Sequence, residues 1–328
     1  MDTERTKVKS VTCLGEIDDY VYDISIDDQD PYFFANDILV HNTDSVYFSA
    51  WPIIRADVEA GKLAWDKDIC IKVYDNIADQ LNESFPGFME RAFHCTRDMG
   101  AIIKGGRELV ASTGIYITKK RYAVLCYDKE GERLDKDGKP GKIKAMGLDL
   151  KRSDTPKFVQ EFLSKLLLEV LTGAEREQVY VMVKDFKIQF QKLPSWEKGT
   201  PKRVNNLTKF TAAEEKQGRA NLPGHVRAAL NWNRLKRMNS DNYSMNIVDG
   251  MKTVVCKLKP NPLGYTSVGY PTDEKHIPQW FKDLPFDDDT MELTIVDQKV
   301  DNLLGVLNWN IAENTDTKTN INSLFSFE

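Results

Sequence analysis

Hydrophobic and polar positions alternate along residues 8–42 in short runs, VKSVTCL, then YVYDISI, then a turn at DDQDP, then YFFANDILVHN. This period-two pattern predicts a small β module. Strands this short cannot bury a core alone, so the piece is expected to be weakly ordered until a partner supplies further strands. The run TDSVYFSA, residues 43–50, is expected to continue as an apolar strand, VYF, leaving a polar turn. From Asp66 to about His94 the period changes: Ile69, Ile71, Val73, Tyr74, Ile77, Leu81 and Phe85 recur mostly at helical spacing, with a break expected near Pro86.

β-rich runs follow, AIIKGGRELVAS and GIYITKKRYAVLCYD, read as joined through Thr113-Gly114, and then EGERLDKDGKPGK as a polar hairpin loop. Ser153 to Pro156 reads as a helix start, with Leu163, Leu166, Leu167, Val170 and Leu171 forming an apolar face that ends at Gly173. A second helix is expected over residues 175–191. The remainder mixes short helices and strands. The tail over residues 313–322 is polar and expected to be mobile.

Composition narrows the class. The chain has 328 residues, room for two or three domains, with 41% hydrophobic and 29% charged residues. No apolar run approaches the roughly 18 residues a membrane span needs, and MDTERTKVKS is not a secretory signal, so a cytoplasmic location without membrane contact is the expectation. Cys13, Cys70, Cys95, Cys126 and Cys256 show no paired spacing, which argues against a zinc site or a disulfide framework. The net charge of −5 is unevenly spread: residues 1–42 carry −7 and residues 43–328 carry +2. Different partners for the two parts are implied.

The residues on either side of the Asn42–Thr43 bond carry two chemistries. VYDISIDDQDPYFFANDILVHN, residues 21–42, resembles the C-terminal end of an intein, the self-excising element that joins its flanking sequences. The resemblance implies that Asn42 cyclises to a succinimide, that Thr43 is the downstream nucleophile, that His41 is the penultimate histidine, and that Asp23 is the VYD aspartate that positions or activates that nucleophile. One departure is visible, since Pro31 and Tyr32 stand where many members of the family carry a histidine. With Met1 so near the junction, the other intein half and the first part of the downstream protein are expected on a partner chain.

TDSVYFS, Lys119-Lys120-Arg121-Tyr122 and KAMGLDLKRSDTPK (residues 144–157) resemble, in order and spacing, the YGDTDS, KKRY and palm-to-thumb motifs of family B DNA polymerases, the tailed-phage replicative enzymes in particular. The resemblance implies a DNA-directed DNA polymerase that uses two magnesium ions and deoxynucleoside triphosphates. Asp44 matches the second metal-binding aspartate and Glu108 is a candidate accessory acid; the first catalytic aspartate lies in a motif absent from this chain, so the isolated chain is expected to be inactive. Lys119, Lys120, Arg121 and Tyr122 would touch primer-template DNA, strand alternation allowing one pair to face it. Lys151, Arg152, Ser153 and Thr155 suit phosphate contact, and His225, Arg227 and Arg234 are weaker candidates. Leu324, Phe325 and Phe327 in the terminal NSLFSFE resemble a clamp-binding peptide, making a sliding clamp a further partner.

The implied fold class is α+β. Residues 1–42 form a β-strand intein fragment, 43–148 the C-terminal part of a palm of antiparallel strands and helices, 149–312 a mainly helical mixed α/β thumb, and 313–328 a tail. The rival reading is a non-catalytic subunit that binds DNA and tethers to a sliding clamp.

Overall fold

The computed structural model describes residues 32–35, 38–41, 46–118, 120–211 and 222–309. They divide into two compact units, the boundary falling between Val110 and Ala111. Helices and antiparallel sheets are mixed, as an α+β chain requires. No helix among the described residues is long and apolar enough to cross a membrane.

In the first unit β1 (Tyr32–Ala35) and β2 (Ile38–His41) pair antiparallel, Tyr32 opposite His41 and Ala35 opposite Ile38. The single run expected over YFFANDILVHN is therefore a hairpin; the overlooked signal is Asn36-Asp37, side chains that favour turns. The strand expected at Val46–Phe48 does not form. A strand is completed by a ladder partner, and among the described residues none runs beside this one. Instead Val46 and Phe48 are exposed, the Phe48 ring meets Tyr74 edge-on at 5.4 Å, and the Tyr74 hydroxyl accepts from the Ala50 N–H at 3.0 Å.

Helix α1 (Trp51–Glu59) then starts with Pro52 in its first turn, where a missing N–H costs nothing. Helix α2 (Lys67–Phe93) is capped by Asp66, whose carboxylate accepts from the Ile69 N–H at 2.7 Å, and ends where His94 turns left-handed at φ 52°. The expected break at Pro86 is absent, for the helix runs through it. The short α3 (Arg97–Gly100) packs against that turn, and Gly100 permits it: a Cβ there would lie 3.0 Å from the Pro86 Cα and 2.9 Å from the Met89 Cβ. Close packing offsets the one hydrogen bond that proline removes.

The stretch 103–108, read as strand, is held instead by side chains of α2. Asn82 exchanges two hydrogen bonds with the Gly105 backbone (2.9 and 2.7 Å), and Asp75 pairs with the guanidinium of Arg107. The strand β3 begins only at Leu109 and runs to Thr118.

The first sheet of the second unit contains β3, β4 (Arg121–Lys129), β5 (Glu132–Arg133) and β6 (Lys142–Met146). Thr113-Gly114 proves to be mid-strand, with the reversal following Thr118. Glycine is needed at 114 for a different reason, because a Cβ would stand 2.9 Å from the Val124 side chain on the neighbouring strand. The polar loop after β4 contains β5, which folds straight back on β4 and pairs Asp128 with Arg133.

One face of this sheet contributes Ile115, Ala123 and Leu125 to the main core. Helix α4 (Lys157–Leu171) meets that core with Val159, Leu163, Leu166, Leu167 and Leu171, while Val170 is only half-buried. It stops before Gly173, at φ 98°. Helix α5 (Arg176–Gln191) opens with a reciprocal cap between Glu175 and Gln178 and stacks Phe186 on Phe162 of α4 at 3.8 Å.

The second sheet is β7 (Thr200–Arg203), β8 (Lys252–Lys257) and β9 (Ser267–Pro271), antiparallel and in that order. Helix α6 (Gly224–Met238) buries Trp232 fully, in contact with Trp280 and Phe281 of α7 (Gln279–Lys282). The described chain closes with α8 (Asp288–Glu292), a π-helical turn (Leu293–Asp297), α9 (Gln298–Leu304) and a 3-10 turn (Gly305–Leu307). The buried Lys187 reaches Glu292 at 3.3 Å and Asp297 at 3.0 Å, and burial still raises the Asp297 carboxyl above its ordinary value.

Candidate nucleic-acid interface

Three stretches distant in sequence meet in the second unit: the β3–β4 reversal, the segment 147–155, and α9. The reversal falls inside the Lys-Lys-Arg-Tyr motif. Lys119 lies outside the described residues, and Lys120 is an exposed turn residue at φ 63°. Alternation therefore relates only Arg121 and Tyr122, and the expected division of the motif into two facing pairs is corrected. Tyr122 stacks on Tyr116 (5.9 Å, 26°) on one face of the sheet. Arg121 turns to α9, where its Nη2 donates to the Asn302 carbonyl at 3.5 Å, above a shallow cleft lined by Leu148, Asp149 and Lys299.

The glycine after β6 makes this approach possible. Gly147 has φ 65°, and a Cβ there would run into the Lys120 carbonyl oxygen. Gly147→Ala is expected to lower stability by about 2 kcal/mol or more, since strain and clash add. Urea unfolding checks this; an unchanged midpoint would show that the turn does not depend on the glycine.

Beyond Gly147 a tight turn (Asp149–Lys151) carries the basic loop. Lys299 of α9 fixes it from behind, donating to Asp149 Oδ1 at 3.1 Å and to Thr155 Oγ1 at 3.0 Å. Gln160 of α4 donates to the carbonyls of Arg152 (2.8 Å) and Thr155 (2.9 Å). The outer side of the loop is left to Lys151, Arg152 and Ser153, all exposed. Thr155, expected among the phosphate contacts, is corrected to an internal position: it is buried and its hydroxyl is occupied by Lys299.

Arg152 forks onto Asp154 (3.0 and 3.1 Å), which also accepts from Lys202 of β7 at 2.9 Å. The Arg152 hydrogen bond, against the opposing pull of burial and with help from Lys202, holds the Asp154 carboxyl well below the usual carboxylate range. One carboxylate thus orients two cations and leaves the group net positive. Lys202 extends the cluster to His225 at the start of α6; burial, then the Lys202 charge, lowers the imidazole below its ordinary value. Arg227 and Arg234 are half-buried along α6, and the Arg227 Nε is buried without a hydrogen-bond partner.

Sequence reading missed Asp149, Asp154, Lys202 and Lys299. The two aspartates sit within GLDLKRSD itself, and an acid every few residues in a basic run is the signal that some of its cations are held in place. Lys202 and Lys299 had no local signal, because only the fold brings them in.

The carboxylate chemistry is less fully described. Asp44 lies outside the described residues, as do Asp23, Asn42 and Thr43, while His41 ends β2. Glu108 is exposed, next to the Arg107 that pairs with Asp75. Among the described residues no group of three or more His, Cys, Asp or Glu could hold a metal ion. Leu324, Phe325 and Phe327 also fall outside the described residues.

No family model matches the chain. It is 28% identical over 246 residues to the DNA-directed DNA polymerase of Escherichia phage RB69, covering 72% of this chain and 26% of that protein. It is 29% identical over 200 residues to that of Enterobacteria phage T4, covering 61% of this chain and 20% of the relative. A DNA polymerase of Thermococcus hydrothermalis is 31% identical over 168 residues, 51% of this chain and 8% of the relative. The chain is thus homologous over part of its length to DNA polymerases, and spans about a quarter or less of their length.

Proposed function

We propose that the chain is the precursor of the C-terminal portion of a DNA-directed DNA polymerase of family B, preceded by the C-terminal fragment of a split intein. Residues 1–42 are the fragment to be removed, 43–148 the palm portion, 149–312 the thumb and 313–328 the tail. The observation that carries the polymerase reading is the joining of two motif segments on one surface: the Lys-Lys-Arg-Tyr turn rests on Gly147, and the 151–153 loop is pinned by Lys299 and Gln160. Homology to DNA polymerases supports the same reading.

In this account Lys120, Lys151 and Arg152, with Lys119, grip the primer-template duplex by its phosphates, a contact independent of sequence. Preordering matters here. Asp154 holds the Arg152 guanidinium in place before DNA arrives, so little side-chain freedom is lost on binding. Lys151→Ala and Arg152→Ala are each expected to weaken duplex binding similarly across sequences and to reduce the slope of log affinity against log salt by about one. Titrations at several salt concentrations check this; an unchanged slope would remove these residues from the interface.

Asp44 would hold magnesium, with Glu108 as an accessory acid and the remaining ligands on the N-terminal polymerase fragment. Magnesium in such a site activates the primer hydroxyl and steadies the triphosphate of the incoming nucleotide. The tail residues Leu324, Phe325 and Phe327 would anchor a sliding clamp in the cytoplasm of the cell where replication proceeds.

The joining chemistry is assigned to the junction. Thr43 Oγ1 first takes the upstream polymerase fragment as an ester, displacing the cysteine thiol or serine hydroxyl that begins the partner's intein half, which leaves with the threonine proton. The Asn42 side-chain nitrogen then attacks its own carbonyl carbon, the bond to Thr43 breaks, and the freed amine takes the acyl group from oxygen to form the peptide. Asp23 positions Thr43, and His41 assists proton transfer. In the hairpin β2 ends at His41, whose register partner is Tyr32, so the departure from the family pattern lies opposite the histidine of the junction. Mixing the chain with the N-terminal polymerase fragment and magnesium, then assaying primer extension, tests the reading. Extension supports it, whereas DNA and clamp binding without extension by the joined product would favour the tethering subunit.

A further inference from the structure

The segment between α6 and β8 exposes an aromatic ring and yet is one of the most thoroughly tied loops in the second unit. Tyr243 is 97% exposed. Around it the backbone is held by side chains: Asp241 accepts from the N–H groups of Tyr243 (2.9 Å) and Ser244 (3.0 Å), from the Ser244 hydroxyl (2.5 Å), and from the Trp280 indole (2.9 Å). Glu274 accepts from the Met245 N–H at 2.6 Å, and the buried Trp232 donates to the Met245 carbonyl at 2.9 Å. Asn233 closes two hydrogen bonds on the Ile247 backbone, both 2.8 Å. A loop anchored at so many points holds Tyr243 out before any partner arrives, so the ordering cost of binding is small.

Its neighbours indicate the partner. In sequence the ring is flanked by Asn239, Ser240, Asn242, Ser244 and Asn246, short amide and hydroxyl residues, with the exposed Met238, Met245 and Val248 among and beyond them. Helix α6 contains four arginines and lysines and no acid; two of them, Lys236 and Arg237, lie in its last turn. The Lys236 carbonyl accepts from the Asp241 N–H at 3.0 Å, and its Nζ donates to Asn246 at 3.3 Å, so this cation lies directly beneath the loop. Acids also lie at the loop: Asp241 and Glu274 accept from the donors above and Asp249 from the Leu207 N–H, neutral partners that orient a carboxylate without cancelling its charge, and Asp273 is exposed in the neighbouring strand turn. Burial works to raise the Asp241 carboxyl, but the hydrogen bonds of Ser244, Trp280 and Tyr243 outweigh it and keep the group ionised.

We propose that Tyr243 is a stacking site for an unpaired base of single-stranded nucleic acid, with Lys236 and Arg237 meeting the adjoining phosphates. Both faces of the ring are open, which suits a base that has left its own stack; the bases of a duplex are already covered by one another. The contrast with Tyr116 and Tyr122 is informative, since those two rings lie against each other. The site goes beyond the duplex contacts proposed above: it follows the C-terminal end of α6, whereas His225 stands at the start of that helix.

Fluorescence anisotropy of the full chain with labelled oligothymidylate, and with a blunt duplex, tests this. Tyr243→Ala is expected to weaken oligothymidylate binding about five- to a hundredfold while Tyr243→Phe stays close to wild type, and neither should alter duplex binding. Failure of the wild-type chain to bind oligothymidylate, or equal affinity for wild type and Tyr243→Ala, would overturn the proposal while leaving the duplex reading intact. Loss of concentration-dependent self-association in Tyr243→Ala, with oligothymidylate binding unaffected, would assign the ring to a protein contact instead.

Discussion

Asp44→Ala is expected to abolish nucleotide incorporation by the joined protein while leaving the joining reaction untouched. The two chemistries are neighbours in sequence and separate in mechanism. In the proposed reading, cyclisation of Asn42 and the acyl shift at Thr43 would use no metal, whereas nucleotidyl transfer would need carboxylates to hold magnesium against the triphosphate. Metal stabilisation of such a transition state contributes several kcal/mol, and each 1.4 kcal/mol or so is a factor of ten, so a loss of about a thousandfold or more is expected. Single-nucleotide incorporation and intact mass, measured on the same sample, separate the two. Normal incorporation by Asp44→Ala would remove this residue from the metal site, and failure to join would mean that the change disturbed the junction itself.

Asn42→Ala has the opposite signature. Alanine has no side-chain nitrogen with which to attack its own carbonyl, so release of residues 1–42 from the downstream chain should cease, not merely slow. On the proposed roles His41→Ala would keep the nucleophile and lose only proton-transfer assistance, an expected effect of about 10²- to 10⁴-fold on the rate. The order of severity is the test. Continued cleavage after residue 42 in Asn42→Ala would contradict the assignment, and so would a His41→Ala protein that releases the fragment at the wild-type rate.

Much of the second unit was legible because its elements carry their own signals. The apolar spacing of α4, its glycine stop and the cap of α5 are local, and local patterns fix local structure. The errors cluster where tertiary contacts overrule pattern. Pro86 reads as a stop, but Gly100 lets another backbone pack against that turn, and the helix continues. Residues 103–108 read as strand, but Asn82 and Asp75 capture them first.

The candidate interface divides in the same way. Lys120, Lys151, Arg152 and Ser153 could be chosen from sequence because a solvent-facing basic run has a local appearance. Thr155 could not be excluded, since its burial depends on Lys299 from far along the chain. Nor could the sequence give the role of Asp154, which looks like a charge opposed to DNA binding until its geometry shows that it orients Arg152 and Lys202. Motif spelling suggests the chemistry; the packing decides which of its residues face outward.

The most direct test of the account is an intact-mass measurement after the chain is mixed with an N-terminal polymerase fragment bearing the complementary intein half, followed by primer extension on the same fractions. The account predicts a new species in which Thr43 follows the upstream fragment, a released piece ending at residue 42, and DNA synthesis that co-purifies with the joined product. DNA synthesis by this chain alone, with residues 1–42 still attached to every molecule, would contradict it.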